Sequence, residues 1–294
     1  MVLILAGDWD PLALAVRDEL ERRGRDHAML STDWSRDSEL VWTPIPFGGS
    51  MKLGGRRVEL GSLTGVLARH DVLVQLPGTL EPSGDRYPLY ESAAALLALL
   101  DAMPCPVVNR PKPVPRSRVM MLSPALARAA GFEPVPTVVA SSRDDALAAV
   151  APDGLQTLVG RVSGSFDDRV VATRASAAAA IDALLPHGAV VIKTLTPAVV
   201  VAAFVAGDVV VGAAWSEEAG ALEQLDLDPA AGQAARAIAG RLGVRLLRVV
   251  FQQSDGRLWL IDVDASTFYP GGIDRNLVAP AAAGIADLLG KAAR

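Results

Sequence analysis

Two aspartates near the end of the chain are the residues whose type and spacing most suggest chemistry. Asp262 and Asp264 close an apolar stretch that follows the turn sequence Asp255-Gly256. Side chains two positions apart lie on the same face of a strand. Two carboxylates in such a place can hold Mg²⁺, with the phosphates of a nucleotide completing its coordination. A polar end to an ordinary strand explains the same residues, and their spacing alone does not decide between the two interpretations.

The size and composition of the chain limit what kind of protein it can be. Its 294 residues exceed the usual size of one domain, so two or three subdomains are expected. Although 51% of the residues are hydrophobic, no uncharged apolar run reaches the roughly 18 residues of a membrane span. The single cysteine cannot form an internal disulfide, which fits a reducing, cytoplasmic location. A net charge of −5 without a basic tract argues against nucleic-acid binding.

The spacing of apolar residues predicts an α/β opening followed by α+β segments. Apolar strands at residues 2–6 and 27–30 flank a helix, which gives a β-α-β unit and therefore a parallel sheet. Asp10 precedes Pro11, and this order favours a helix N-cap over a substrate contact at the sheet edge. The Gly- and Pro-rich residues 42–60 predict hairpins or an irregular excursion. A final helix is predicted at residues 280–293.

The order and spacing of these pieces resemble those of an ATP-grasp protein, nearest the carboxylate–amine ligases related to RimK. The features that carry the resemblance are the linker Asn109-Arg110-Pro111, the segment from Ala129 to Thr137, the loop Ser163-Gly164-Ser165 and the closing hairpin from Gly243 to Ser266. The resemblance covers nearly the whole chain. It implies an N-terminal parallel-sheet (pre-ATP-grasp) domain at residues 1–112, a central ATP-grasp subdomain at 113–190 and a C-terminal one at 191–294.

A ligase reaction is what the resemblance implies. Such enzymes phosphorylate a carboxylate with ATP, and an amine then attacks the acyl phosphate to give an amide, ADP and phosphate. ATP and Mg²⁺ are the implied cofactors. The expected partners are a small-molecule carboxylate and amine in small-molecule or cofactor biosynthesis, a tetrahydromethanopterin-type C1 cofactor pathway being one setting. Peptide or protein modification is another possibility, and a homo-oligomer is left open.

The resemblance also assigns roles to residues. Arg161 and Arg118 occupy places where the family usually has phosphate-contacting lysines, and they are the predicted catalytic residues, although each is equally explained as a solvated surface arginine. Lys193 either lines the adenine or ribose pocket or is an exposed lysine at a strand end, and the second reading is slightly favoured. The predicted nucleotide-binding set is Arg161, Ser163, Gly164, Ser165 and Lys193, and the predicted metal ligands are Asp262 and Asp264.

Some positions depart from the family's pattern. Val250 stands where the family has its first metal-binding aspartate, and residues 198–204 lack an arginine that the family often carries there. Asp262 and Asp264 replace a Glu and an Asn, so Asp264 either offsets the lost charge or belongs to a site that binds Mg²⁺ poorly. The alternative to a ligase is a catalytically degenerate ATP-grasp-like protein that binds a ligand or a protein partner.

Overall fold

The computed structural model has the mixed α/β and α+β architecture expected from the sequence. It describes residues 1–30, 39–53, 55–69, 87–111, 124–152, 154–161, 170–216, 221–265 and 275–290. Within these ranges there are seven α-helices and seventeen β-strands, and the strands form four sheets. None of the helices in the described ranges combines the length and the apolar character that crossing a lipid bilayer requires.

The seven helices of the described residues are spread among the strands. In order they are α1 (Pro11–Arg22), α2 (Tyr87–Ala102), α3 (Pro124–Ala129), α4 (Arg143–Ala148), α5 (Arg174–Leu184), α6 (Pro229–Leu242) and α7 (Arg275–Gly290).

The N-terminal part contains two small sheets. Its strands are β1 (Val2–Leu5), β2 (His27–Leu30), β3 (Leu40–Pro44), β4 (Phe47–Leu53), β5 (Arg56–Glu59), β6 (Gly65–Ala68) and β7 (Val107–Val108). The first sheet has the order β2-β1-β6-β7 and its strands are parallel, which confirms the predicted β-α-β opening. Strands β3, β4 and β5 form an antiparallel sheet, so the predicted hairpins are present.

The central part is an antiparallel sheet with helices on one face. Its strands, preceded by β8 (Glu133–Pro134), are β9 (Thr137–Ala140), β10 (Gln156–Arg161), β11 (Val170–Ala172) and β12 (Val190–Leu195), in the order β11-β10-β12-β9. Val159 and Ile192 pack with Ile181 of α5 in the core of this part. Strand β12 crosses the predicted boundary between residues 190 and 191. The domain boundaries themselves stay a prediction.

The C-terminal part is a six-stranded sheet that also takes in β8. Its own strands are β13 (Val200–Ala206), β14 (Val209–Ser216), β15 (Ala221–Leu225), β16 (Leu246–Ser254) and β17 (Arg257–Asp264), in the order β15-β14-β13-β16-β17-β8. Helices α3 and α6 cover one face, where Phe251 packs with Ile238 and Phe132. The opposite face packs partly against the N-terminal part and partly against the central sheet.

Helix α7 joins the N-terminal and C-terminal parts. Its buried residues Leu277 and Ile285 belong to one core together with Phe204 of β13 and Ile4 of β1. The prediction that this helix begins at Pro280 is wrong, because it begins at Arg275 and contains Pro280. A proline inside a helix removes one backbone hydrogen bond. Burial of an apolar face on both sides of the proline evidently outweighs that loss.

Candidate functional site

The hairpin of β16 and β17 places two carboxylates on one buried face. Its turn is Asp255-Gly256, with φ angles of 52° and 70°, and two such residues form the tight turn that suits a twisted hairpin. Asp262 and Asp264 of β17 are both buried. Val263 lies between them and packs into the core on the other face. The two aspartates therefore share a face, as their spacing predicts, and this face is shielded from water.

Strand β16 carries an arginine and a valine opposite these aspartates. Arg248 lies across from Asp264, and Val250 lies across from Asp262. The Nη2 atom of Arg248 is 3.7 Å from Oδ2 of Asp264, and both side chains are almost fully buried. Opposite charges at this distance inside a protein offset each other's desolvation cost in part. The pairing shifts after Val250, and Ile261 is the extra residue of this bulge.

Lys193 reaches the same region from the central sheet. The favoured interpretation of an exposed lysine at a strand end is wrong, because the side chain is 1% exposed. Its Nζ donates a hydrogen bond to the carbonyl oxygen of Ile261, one residue before Asp262. A small apolar cluster links the two sheets here, and it consists of Val135, Leu158, Leu195, Val250 and Ile261. The structure thus brings Lys193 and the aspartate strand together.

A buried glutamine fixes the chain segment that joins β12 to β13. The side-chain amide of Gln252 donates to the carbonyl oxygens of Thr196 and Ala198, each at 2.8 Å. Its Oε1 atom accepts a hydrogen bond from the Thr196 hydroxyl at 3.2 Å. The connection between the central and C-terminal sheets is therefore held from the same strand that carries Arg248.

Arg161, a predicted phosphate contact, lies on the face of the central sheet opposite to Lys193. Arg161 is exposed at the end of β10 and pairs with Val190. Val190 belongs to the core that the central sheet makes with its helices. Leu158, on the same strand as Arg161, packs instead in the cluster between the sheets. Alternation along β10 thus separates Arg161 from Lys193, and a phosphate contact by Arg161 stays a prediction.

Four further predicted site residues lie outside the described residues. They are Arg118, Ser163, Gly164 and Ser165.

The carboxyl edge of the parallel sheet carries a separate buried ion pair. Asp10 is the N-cap of α1, because its Oδ1 accepts the backbone N–H of Ala13 at 3.0 Å. Its Oδ2 accepts a hydrogen bond from Nε of Arg69 at 2.6 Å, and both side chains are buried. The predicted N-cap is confirmed, and the arginine partner was not anticipated.

Asn109 ties the linker to the base of the carboxylate hairpin. Its Oδ1 accepts the backbone N–H groups of Arg245 and Leu246, each at 2.8 Å. Its Nδ2 donates to the carbonyl oxygens of Leu246 and Ala265, at 2.6 and 3.3 Å. One buried side chain therefore connects the start of β16 with the residue after β17. The next residue, Arg110, donates to four carbonyl oxygens at and after the end of α2.

The described buried charges of the site include both signs. In the described part of the chain six charged side chains are buried, and two of them form the pair of Asp10 and Arg69. The remaining four are Lys193, Arg248, Asp262 and Asp264. These are two basic and two acidic side chains, so each offsets part of the cost of burying its neighbours.

The site fits a metal ion only in part. Among the residues that the structure describes, no three His, Cys, Asp or Glu side chains are grouped as a metal site. Carboxylate oxygens are what Mg²⁺ prefers, and nucleotide sites commonly supply one or two of them with phosphates as further ligands. Asp262 and Asp264 therefore fit a Mg²⁺ that arrives with a nucleotide. They fall short of a cage that would hold the ion alone.

The sequence interpretation missed Arg248 and Gln252. Both stand in an apolar stretch at alternate positions, with Val249 and Phe251 on the other face of the strand. A polar side chain that repeats with the period of a strand is a signal for a buried polar face. Their proximity to Asp264 could not be read from the sequence, because it depends on the register of β16 against β17.

Comparison with known proteins places the fold. No protein-family model matches the chain, and no curated protein matches it either. A ligase from Chryseobacterium gregarium, described as a RiPP-associated ATP-grasp ligase in complex with ADP and a leader and core peptide, superposes with a TM-score of 0.76 and 15% identity. The alignment covers 98% of this chain and 96% of that one.

Two further structures are similar over almost their full length. The macrocyclase MdnC of Microcystis aeruginosa, bound with the precursor peptide MdnA, has a TM-score of 0.73 at 13% identity, with 99% of both chains covered. A RimK-domain ATP-grasp protein of Sphaerobacter thermophilus has a TM-score of 0.58 at 19% identity, with 98% of both chains covered. The resemblance to the ATP-grasp fold is thereby confirmed.

The expectation of small-molecule carboxylate and amine substrates is contradicted by these similarities. The ligases from Chryseobacterium and Microcystis are described with leader, core or precursor peptides bound, and so is the ligase PsnB, which is similar to this chain with a TM-score of 0.72. The sequence interpretation went wrong because the motifs that it used indicate a fold. Those motifs carry no information about the size of the carboxylate substrate.

Proposed function

We propose that this chain, which has the ATP-grasp fold, is an ATP-dependent ligase that joins a carboxylate and an amine of a peptide substrate. The observation that carries the proposal is a set of four buried charged residues, of which three lie on the C-terminal sheet and one, Lys193, reaches their strand from the central sheet. Burying charges is costly unless function or pairing requires it. Structures that are similar over 98–99% of this chain supply the peptide class, since several of them hold precursor peptides.

The reaction divides into two displacements in this proposal. A carboxylate oxygen of the peptide attacks the γ-phosphorus of ATP, and ADP leaves. The amine nitrogen then attacks the acyl carbon, phosphate leaves with the bonding electrons, and the nitrogen loses a proton to give the amide. The protein's part is to position the groups and neutralise the phosphate charge.

Each buried charge has a part in this scheme. Lys193 and Arg248 lower the electrostatic cost of bringing a polyphosphate between the sheets. Asp262 and Asp264 are the residues that would hold Mg²⁺, which shields the phosphate oxygens from the attacking carboxylate when it is bound. The apolar cluster of Leu158, Val250 and Ile261 limits the entry of water, and this matters because an acyl phosphate is readily hydrolysed.

A binding protein without turnover is the second candidate. Two observations favour it: Val250 stands opposite Asp262, at a position where the family resemblance implies an aspartate, and Arg248 is already paired with Asp264. Both features reduce the negative charge available to a metal ion. Nucleotide binding without any release of ADP would distinguish this candidate from the ligase.

The test uses a pool of synthetic peptides, each with one Asp or Glu and one Lys. The purified protein is incubated with ATP, Mg²⁺ and the pool, and ADP release and peptide masses are followed. The ligase predicts ADP release that depends on peptide, together with loss of one water from the modified peptide. The variant Asp262→Asn is the control and should abolish both signals. Nucleotide binding with neither signal, even for peptides of varied spacing, would instead support the binding protein.

A further inference from the structure

Arg248 lies on the sheet face that carries both aspartates. The register of the C-terminal sheet puts Phe204, Arg248 and Asp264 in one row across β13, β16 and β17. The next row holds Ala202, Val250 and Asp262. The two rows are two residues apart along each strand, so their side chains lie on the same face of the sheet. Arg248 therefore belongs to the same face as both aspartates.

The neighbouring strand offers no competing cation. The seven residues of β13 are all apolar, and so none of them can neutralise a phosphate. Among the described buried residues, the cations near the aspartates are Arg248 and Lys193. Lys193 comes from the other sheet and its Nζ is hydrogen-bonded to a backbone carbonyl. Any anion that enters beside Asp262 and Asp264 thus meets Arg248 on the C-terminal sheet itself.

The chemistry of arginine suits an exchange of partners. A guanidinium keeps its charge throughout the physiological pH range and has five N–H donors. In this structure the closest approach of its Nη2 to Asp264 is 3.7 Å, which is an ion-pair distance but too long for a hydrogen bond. Phosphate oxygens bind arginine through two parallel short hydrogen bonds. A phosphate can therefore offer Arg248 better geometry than Asp264 does.

We propose that Arg248 is a phosphate-binding residue of the nucleotide site and that it exchanges Asp264 for phosphate oxygens when a nucleotide binds. This inference rests on the proposed function, because it needs a nucleotide between the two sheets. It explains how a site with Val250 in place of a carboxylate can still hold a nucleotide. Part of the charge neutralisation comes from the protein, so binding depends less on Mg²⁺, and Asp264, no longer paired with Arg248, can act as a metal ligand.

Calorimetric titration with ADP in EDTA tests the exchange. Wild-type protein should bind ADP without metal. The variant Asp264→Asn releases Arg248 from its ion pair and should bind ADP more tightly in EDTA. Adding Arg248→Met to that variant should weaken binding about tenfold or more relative to Asp264→Asn alone, since a charge-assisted hydrogen bond is lost. The double variant removes both members of this pair, so neither is left buried without the other.

The matched control is Arg245→Met, because Arg245 is an exposed arginine in the same part of the chain. Its affinity for ADP should equal that of wild-type protein. Equal ADP affinity of Asp264→Asn and the double variant, with thermal melts showing both folded, would overturn the role of Arg248 while leaving the proposed function standing. Absence of ADP binding by wild-type protein, in EDTA and in Mg²⁺ alike, would overturn both.

Discussion

Two cations approach the carboxylate strand from different directions. Arg248 comes from the adjacent strand of the same sheet, while Lys193 comes from the central sheet. A charged group inside a protein costs free energy unless it is paired or hydrogen-bonded. Asp262 and Asp264, which lie beside these cations, therefore offset part of that cost, and an incoming anion changes the balance. At the residue scale, the proposed nucleotide site is a set of buried charges of opposite sign.

Replacement of Lys193 by Met should separate its two roles. Methionine has a similar length and fits an apolar surrounding, but it loses the hydrogen bond to the Ile261 carbonyl oxygen. We expect a loss of about 1–3 kcal/mol in the free energy of unfolding, from the unsatisfied carbonyl. We also expect ADP to bind about tenfold more weakly, from the lost charge. Urea unfolding and calorimetry measure the two effects.

The matched control for that prediction is Lys52→Met. Lys52 is partly exposed and forms a surface ion pair with Glu39 at 2.9 Å, and such pairs contribute little to stability. Its replacement should change neither the free energy of unfolding nor the ADP affinity measurably. If Lys193→Met also left the ADP affinity unchanged, a role of Lys193 in the nucleotide site would be untenable.

At the scale of elements, the hairpin of β16 and β17 is fixed at both ends. The Asp255-Gly256 turn sets its register at one end. Asn109 holds the other end through hydrogen bonds to the start of β16 and to the residue after β17. Gln252 connects the same hairpin to the segment between the two sheets. These contacts anchor the carboxylate face at both ends of the hairpin.

Replacement of Asn109 by Ala should destabilise the protein markedly. The change removes four hydrogen bonds to the backbone of Arg245, Leu246 and Ala265: two that the Asn109 side chain donates and two that it accepts. Because part of this backbone is buried, we expect a loss of about 2–4 kcal/mol in the free energy of unfolding, measured by urea denaturation. A change below about 0.5 kcal/mol, the size typical of surface substitutions, would show that Asn109 does not hold the hairpin.

Much of the fold and part of the site could be predicted from the sequence. The β-α-β opening, the N-terminal hairpins and the shared face of Asp262 and Asp264 follow from local periodicity and turn residues, which are properties of short segments. The burial of Lys193 and the pairing of Arg248 could not be predicted, since they depend on strands that meet only in the folded chain. The start of α7 was missed because tertiary burial overrode the local signal of Pro280.

For the whole molecule, α7 holds the N-terminal and C-terminal parts together. It packs against α1 and β6 on one side and against β13 and β14 on the other. Gly284 marks the closest approach, because a Cβ atom there would lie 2.7 Å from the Ala206 carbonyl oxygen and 2.8 Å from Cγ2 of Val209. The relative placement of the parallel sheet and the six-stranded sheet therefore depends on a small residue at this position.

The pair of variants Gly284→Ala and Gly240→Ala tests this packing. Both glycines lie inside helices, but a Cβ at Gly240 would meet nothing within 4 Å. Alanine at 240 should stabilise the protein by about 0.5–1 kcal/mol through helix propensity. Alanine at 284 should destabilise it by about 1–3 kcal/mol through overpacking. Equal stabilisation by both substitutions in urea unfolding would contradict a close packing of α7 at Gly284.

Calorimetric titration with a non-hydrolysable ATP analogue, in EDTA and then in Mg²⁺, is the most direct test of a nucleotide site between the two sheets. The charges of Lys193 and Arg248 predict binding in EDTA, and the carboxylates predict tighter binding in Mg²⁺. The variant Asp262→Asn should still bind the analogue in EDTA but should show no tighter binding in Mg²⁺, because it removes a metal ligand and keeps both cations. No binding by the wild-type protein in either condition would contradict the nucleotide site and, with it, the proposed ligase.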